Sequence, residues 1–470
     1  MSQAGVVTRA QEGRTGQPPA GQRSSRRTPT RREGLATLAG AAPVLAAACG
    51  QAGTSQPSTV VSAPVTISAW FPVSGVFAPY LQSEVEQFQQ GNQRVKVTLE
   101  GAGAEDKLQA AVIAGDPPDI QHSNYIPMFN WVRQNALEPI DPYLDRRGKA
   151  DFHDWAREGS TVDGKMYEWP WMLNPTGVIV NRSLFGEKNA SHLLPRPGPK
   201  ADWTIDQWRA ALRAVTTITG DPERDVYGTA FLAGATGGDY WQMMYLWSSG
   251  AELYNRDQTK VTICTREGIA ALQLLVDLVL RERVAAPGAE RMLHQSHLDL
   301  FLKKRLGMMN GSPATVGDVE RGLKDGTILP PFDAQFFPTP HTPGRKSIAF
   351  VAINSFLVFR QTKNPDRTRG AMQLGFHLTD APAQKTITPL GQLPVRKSVG
   401  NIYPDDQSRT TALASIETGR DMGRFPENGE IRKLWQLAAQ AAFSSQKTPQ
   451  EALDEMCRLS EPIMAKQTAR

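Results

Sequence analysis

The sequence predicts an α/β fold in two domains, and three observations point to it. Short runs rich in β-formers alternate apolar with polar residues, longer segments carry apolar residues at helical spacing, and the two kinds of segment take turns along the chain. That order builds a sheet covered by helices, with ligands held at the carboxyl ends of its strands. About 420 residues follow the N-terminal address described next, which is room for two domains.

The address is "TRREGLATLAGAAPVLAAACG", residues 30–50. A basic front, a thin apolar run and a small-residue exit predict an export signal that is removed. Arg31-Arg32 and the weakness of the run resemble a twin-arginine signal, although Gly34 stands where that motif favours an aromatic. Ala46-Ala47-Ala48-Cys49 resembles a bacterial lipobox, which predicts a signal over 1–48, lipid on Cys49 and membrane anchoring through it. A plain secreted start, with Cys49 incidental, is the alternative. Residues 49–63 are small and polar and read as a flexible tether.

Removing the signal changes the charge. Residues 1–48 hold seven arginines and two glutamates, so of 52 basic and 47 acidic residues, 45 of each remain. The calculated pI near 9.0 belongs to the address, and the clustered basic excess of a nucleic-acid binder is missing. The longest apolar run of the body, "IAALQLLVDLVL" from Ile269, is interrupted by Asp277 and predicts a packed helix, not a membrane span. Cys264 and Cys457 stand in no CxxC spacing; they leave one bridge open in an oxidising compartment and suggest no zinc site.

The elements follow in order. "VTISAWF" (65–71) reads as a strand, "VFAPYLQSEVEQFQQ" as an amphipathic helix, "RVKVTLEG" as a strand, and "AEDKLQAAVIAG" as a helix stopped by Gly115 and Pro117 before a strand at Ile120. "GVIVN" (177–181) is a buried strand. Thr204 is placed to cap the helix of Trp208 and Leu212. "YGTAFLAG" (227–234) reads as a strand, "YWQMMYLWSSG" and "TREGIAALQLLVDLVLRERV" as helices, and "FLKKRLGMMNGSP" as helix then strand. "SIAFVAINSFLVFR" (347–360) reads as a strand pair, followed by helices around 367–378 and 431–442.

Several stretches together resemble the family 1 extracellular solute-binding proteins, the sugar-capturing receptors of bacterial ABC importers. They are "AAVIAGDPPDI", "LEPIDPYLDR", "VDGKMYEWPW", "GVIVNRSLF", "DWTIDQW", "EGIAALQLLVDL", "GMMNGSP" and "GQLPVRKSV", in the family's order over about 110–400. The resemblance implies a two-lobed, periplasmic-binding-protein-like fold (type II) with its ligand in a cleft at a hinge crossed several times. It implies a monomer, an ABC permease as partner, an extracytoplasmic location, no cofactor and no catalysis. On it, lobe one is expected at 64–172 plus 354–398 and lobe two at 176–350 plus 399–470. Members that bind maltose-like sugars carry an aromatic where Ala314 follows Ser312-Pro313 here. "TGRDMGRFPENGEI" resembles the glycerol-3-phosphate and glycerophosphodiester branch, which places Arg424 at a ligand-binding arginine.

A sugar asks for aromatic platforms beside planar polar groups, and a phosphate asks for arginine, helix N-termini and hydroxyls. Strand-end loops supply both. The expected ligand-binding residues are Ser74, Phe77, His122, Asn124, Tyr125 and Trp171 on lobe one and the first hinge crossing, Asn354 on the later strand, and Asp239, Tyr240, Trp241, Ser312 and Arg424 on lobe two. Trp169 and Trp171 flank Pro170, and one of them is expected in the core. His294 and His297 are three apart without a third ligand, so they are expected to be solvated and not metal-bound. No Gly-x-Ser-x-Gly elbow, third dinucleotide glycine or Gly-x-x-x-x-Gly-Lys loop occurs. A carbohydrate-active lyase or glycosidase with an aromatic-lined cleft stays as the alternative function.

Overall fold

The computed structural model describes residues 59–468 apart from 102–104, 125–127 and 329. The export signal, Cys49, most of the tether and Tyr125 therefore lie outside the described residues.

The first half builds the parallel core of a large sheet. Val65–Phe71 (β1) is followed by Phe77–Gly91 (α1), Val95–Gly101 (β2), Glu105–Ile113 (α2) and Ile120–Asn124 (β3). β1 lies between β2 and β3, parallel to both. α1 forms because Leu81, Val85 and Phe88 recur on one face, which it buries together with Glu84. Met128–Arg133 (α3) and Asp154–Gly159 (α4) lead to Glu168–Pro175 (β4).

One residue later the chain is in a second sheet. Gly177–Asn181 (β5) is flanked by Met308–Gly311 (β6) and Ala334–Phe337 (β7), both antiparallel to it. Gly177 is required there: a Cβ at that position would lie 2.4 Å from the carbonyl oxygen of Phe337. Around this sheet sit Ile205–Val215 (α5), Asp239–Ser248 (α6), Arg266–Leu280 (α7), His294–Leu302 (α8) and Pro313–Lys324 (α9). The side chain of Thr204 caps α5 in a reciprocal arrangement with Gln207, and the helix buries Ile205, Trp208, Ala211, Leu212 and Val215.

The chain returns through Ala349–Val358 (β8), then Pro365–Thr379 (α10), Ala381–Gln384 (α11) and Leu393–Pro394 (β9). It crosses again to Gln407–Ser415 (α12) and passes Gly419–Arg420 (β10) to Asn428–Phe443 (α13) and Pro449–Thr468 (α14). The large sheet has seven strands in the order β9-β4-β8-β3-β1-β2, with β10 parallel to the start of β8. Thr176 stitches the first crossing to β8: its N–H donates to the Phe350 carbonyl at 2.7 Å, and its Oγ1 accepts from the Phe350 N–H at 3.0 Å.

Four expectations are corrected. Residues 347–360 form one ten-residue strand, not a pair; the turn-like Asn354-Ser355 marks a register shift against β4. The run 227–234 is not a strand: it makes isolated bridges at Tyr227 and Thr229 while burying Ala230, Phe231, Leu232 and Ala233. Continuous apolar residues signal burial, and the backbone here meets Val284, Ala289 and Met292 instead of a ladder. His297 is not solvated but fully buried in α8, whereas His294 is exposed. Trp169 and Trp171 are both core, at 0% exposure. α14, a twenty-residue helix with Pro462 inside it, is unassigned by periodicity.

Cys264, just before α7, and Cys457, on α14, form a disulfide with Cα atoms 6.3 Å apart. No helix among the described residues is long and apolar enough to cross a membrane.

Candidate ligand cleft

The strand registers locate the junction between the sheets. β3 ends at Asn124 opposite Asn354, and β10 begins opposite Ala349, so the stretch of β8 between them is flanked on that edge by strand ends from both sides. Three helix N-termini of the small-sheet half collect there. α9 follows Gly311, the partner of Gly177; α6 places Tyr240 against Phe350; and Glu427, at the N-cap of α13, meets Arg133 of α3 at 3.7 Å. Helix N-termini are partly positive and favour anionic or hydroxyl oxygen atoms.

On α6, Tyr240 stacks on Phe350 with centroids 4.8 Å apart and touches Trp241 at 4.9 Å. Trp241 lies parallel to the exposed His294 ring at 6.2 Å. The start of α6 is held close because Gly238 carries no side chain; a Cβ there would lie 2.1 Å from the Leu232 carbonyl oxygen. Asp239 is buried and accepts from Arg432 Nε at 2.5 Å and Nη2 at 3.0 Å. Burial pushes the Asp239 carboxyl upward, and Arg432 opposes that shift.

The large-sheet half contributes an aromatic cluster. Phe77, at the start of α1, lies 5.8 Å from the His122 ring and 5.7 Å from Trp171, and His122 meets Trp171 edge-on at 5.5 Å. Trp171 falls between Pro170 and Met172, which pair with Ser355 and Asn354, so it is the extra residue of a bulge. Burial holds the His122 imidazole down at about 4, against a hydrogen bond to the Asn354 side chain. Glu168, at the start of β4, is pushed up to about 7 by burial, opposed by Ser355 and Ser160.

The structure therefore groups Phe77, His122, Trp171 and Asn354 in one place and Asp239, Tyr240 and Trp241 in another. Ser74 is exposed on the loop after β1. Ser312 caps α9, its N–H donating to Thr315 Oγ1 at 3.3 Å. Arg424 pairs with Asp421 at 2.5 Å, not with Glu427, and lines a cavity of about 280 Å³ together with Trp155, Trp247, Tyr254, Gln258 and Arg420. Sequence reasoning missed Phe350, His294, Arg432 and the Arg133–Glu427 pair. An acidic residue opening an apolar helix is a signal that a buried cation is needed, but its partner 193 residues later carries no local mark.

Residues 74–385 match the family model described as bacterial extracellular solute-binding protein. The chain belongs to that family. A binding protein of Brucella abortus (strain 2308) is 22% identical over 396 residues, 83% of this chain and 90% of the relative. Among solved structures, an ABC transporter solute-binding protein from Thermotoga lettingae bound with α-D-tagatose superposes with a TM-score of 0.71 at 19% identity, covering 85% of this chain and 99% of the other. Maltose-bound MalE3 of T. maritima gives 0.71 at 19% identity over 86% and 100%. The ABC substrate-binding protein Lmo0181 from Listeria monocytogenes, in complex with cycloalternan, gives 0.69 at 20% over 86% and 99%. The fold is thus the two-lobed fold of the binding proteins, and membership implies an extracytoplasmic location.

Proposed function

We propose that this protein captures a sugar, or a related small polyol or glycerophosphate compound, and delivers it to an ABC permease. Family membership over residues 74–385 is the observation that carries the reading. The ligand lies between the lobes, 64–172 with 354–398 on one side and 176–350 with 399–470 on the other. Tyr240 and Trp241 give it aromatic surface, and Ser74, Phe77, Asn124, Ser312 and Arg424 are further contacts; Tyr125, outside the described residues, is a contact expected from the sequence alone. Trp171 and Asp239, the most buried of the set, hold these surfaces in place, and His122 and Asn354, about as exposed as Trp241 and Ser312, meet the ligand beside them. Cys49 carries lipid and anchors a monomer to the outer face of the cytoplasmic membrane.

The test is a thermal-shift screen of the chain from Gly50 onward against monosaccharides, disaccharides, polyols, glycerol-3-phosphate and glycerophosphodiesters. A ligand at 100 times its dissociation constant adds about 2.7 kcal/mol to the native state. A sugar that loses affinity in Tyr240→Ala and Trp241→Ala supports the carbohydrate reading, and a phosphate ester that loses it in Arg424→Ala supports the glycerophosphate one. Turnover of a polysaccharide, or silence across the panel from folded protein, overturns the receptor reading. For the anchor, loss of membrane fractionation in Cys49→Ala is the expected result.

A further inference from the structure

From Thr59 onward the chain is fastened to the large-sheet half. Val61 is 3% exposed, in a core shared with β1 and β2, and its carbonyl accepts from Arg94 Nη1 at 3.2 Å. Asp366, in the first turn of α10, accepts from the Ser62 N–H at 3.1 Å, from the Ser62 hydroxyl at 2.5 Å and from the Ala63 N–H at 3.1 Å. Gln373 of the same helix donates to the Thr59 carbonyl at 3.1 Å. The place where the N-terminal segment arrives is therefore fixed.

That place is a pole formed by the starts of β1, β2 and α10, where Val65 pairs with Val95 and Asp366 holds the residues just before β1. Arg94 and Lys96 at the start of β2 and Lys363 just before α10 are exposed and form no ion pair among the described residues. Arg367 and Arg369 beside them are neutralised by Asp119 at 2.8 Å and by Asp366 at 2.6 Å. Asp116 is exposed next to the Pro117 carbonyl that Gln361 holds, and it offsets one charge. Val60, 63% exposed, adds apolar surface. The pole is basic and partly apolar.

We propose that this pole rests on a lipid surface rich in anionic headgroups, an inference that builds on the lipid-anchored reading of Cys49 given above. Cys49 and Thr59 are ten residues apart, so an acyl group on Cys49 holds the pole within about 35 Å of the bilayer. A basic residue near an anionic surface contributes about 1 kcal/mol, too little to bind a free protein through three of them. A short tether changes that, because it gives the pole an effective concentration of about the millimolar range at the surface. β1 and β2 run from this pole toward their carboxyl ends, where the candidate cleft lies, so contact with lipid leaves the cleft uncovered.

The test couples the mature chain to vesicles through the Cys49 thiol and a maleimide lipid, since Cys264 and Cys457 are held in their disulfide. Vesicles of phosphatidylcholine with about a third phosphatidylglycerol are compared with phosphatidylcholine alone, and the readout is the rate at which an amine-reactive reagent acetylates individual lysines. On the anionic vesicles Lys96 and Lys363 are expected to react about threefold or more slowly, and to recover in about 1 M salt, where the screening length falls to about 3 Å. Lys260 and Lys324, exposed on the small-sheet half, are expected to keep one rate throughout. Lys96→Glu is expected to remove the shielding of Lys363. No slowing on anionic vesicles, equal slowing on phosphatidylcholine, equal slowing of Lys260 and Lys324, or unchanged shielding of Lys363 in Lys96→Glu overturns the proposal. Chemical coupling replaces acylation here, so failure of this surface and failure of the lipid anchor, read from membrane fractionation of Cys49→Ala, are separate results.

Discussion

Asp239 and Arg432 stand 193 residues apart in the chain and meet as a two-point ion pair with the carboxylate fully out of water. The pair fixes the first turn of α6, and with it Tyr240 and Trp241, to α13. Removing one partner of such a pair strands a buried charge, whereas removing both does far less harm. Arg432→Met is therefore expected to cost about 3–5 kcal/mol, and Asp239→Asn/Arg432→Met to recover much of it. Urea unfolding of the two variants checks this; equal losses in both would sink the idea.

Protonation gives a second expectation. The His297 imidazole, with both ring nitrogens buried and unpartnered, is pushed down to about 3 by burial, and His122 to about 4. An unfolded imidazole takes its proton near 6.5, so below that pH the unfolded chain binds more protons, and stability falls as pH falls toward 4. Glu168 works the other way. Its folded value of about 7 lies above the 4.5 of an ordinary glutamate, so its contribution is complete below 4.5 and is lost as pH rises through 7. His297→Leu removes one histidine from this balance together with two orphan nitrogens. It is expected to raise stability by about 1–3 kcal/mol at pH 5 and to flatten the profile between 6.5 and 4.5, read by chemical denaturation across pH.

The Cys264–Cys457 bridge closes a loop of 193 residues and ties α14 to the start of α7. Cross-links over long loops restrict the unfolded chain most, with typical gains of about 2–5 kcal/mol. Cys264→Ser/Cys457→Ser is expected to lose that much and to melt several degrees lower, while still binding the cleft ligand. A double variant as stable as the parent would remove the bridge from the account of lobe two.

Arg133 on α3 and Glu427 at the N-cap of α13 meet at 3.7 Å, with the arginine side chain 44% exposed. Pairs this exposed contribute about 0.2–1 kcal/mol, so Arg133→Gln should barely change unfolding. Its expected effect is on the spread between lobes, seen as a larger radius of gyration in solution scattering and a few-fold weaker ligand. An unchanged radius and affinity would leave the pair without a role in closure.

Much of this fold is legible where one local rule decides the outcome. Thr204 with Gln207 announces α5, the spacing of Leu81, Val85 and Phe88 announces α1, and alternation announces β1 and β2. Legibility fails where tertiary contacts decide. Residues 230–233 are apolar enough for a strand, yet they lie in a loop: the Ala233 N–H donates to the Ala289 carbonyl, and the Leu232 and Ala233 carbonyls accept from the side chains of Gln242, Gln436 and Gln440 instead of a strand. Asn354-Ser355 looks like a turn and is instead the site where Trp171 bulges out of register. Of the candidate site, Tyr240, Trp241 and Arg424 are named from the sequence alone, Arg424 through the likeness of 418–431 to the glycerophosphate branch. Phe350, His294 and Arg432 are not, because each gains its meaning only from a residue distant in sequence.

The bridge between Cys264 and Cys457 also bears on the chain's passage out of the cell. Its second thiol follows the first by 193 residues, so the bond cannot close until Cys457 has emerged as well. Until then Cys49 is the one other thiol that Cys264 can meet, since the sequence has three cysteines. Acylation of Cys49, part of the reading proposed above, would take the competitor away and leave a single possible pairing. On that view the lipid does two jobs: it tethers the receptor, and it protects lobe two from a mismatched cross-link at the moment of arrival in an oxidising compartment.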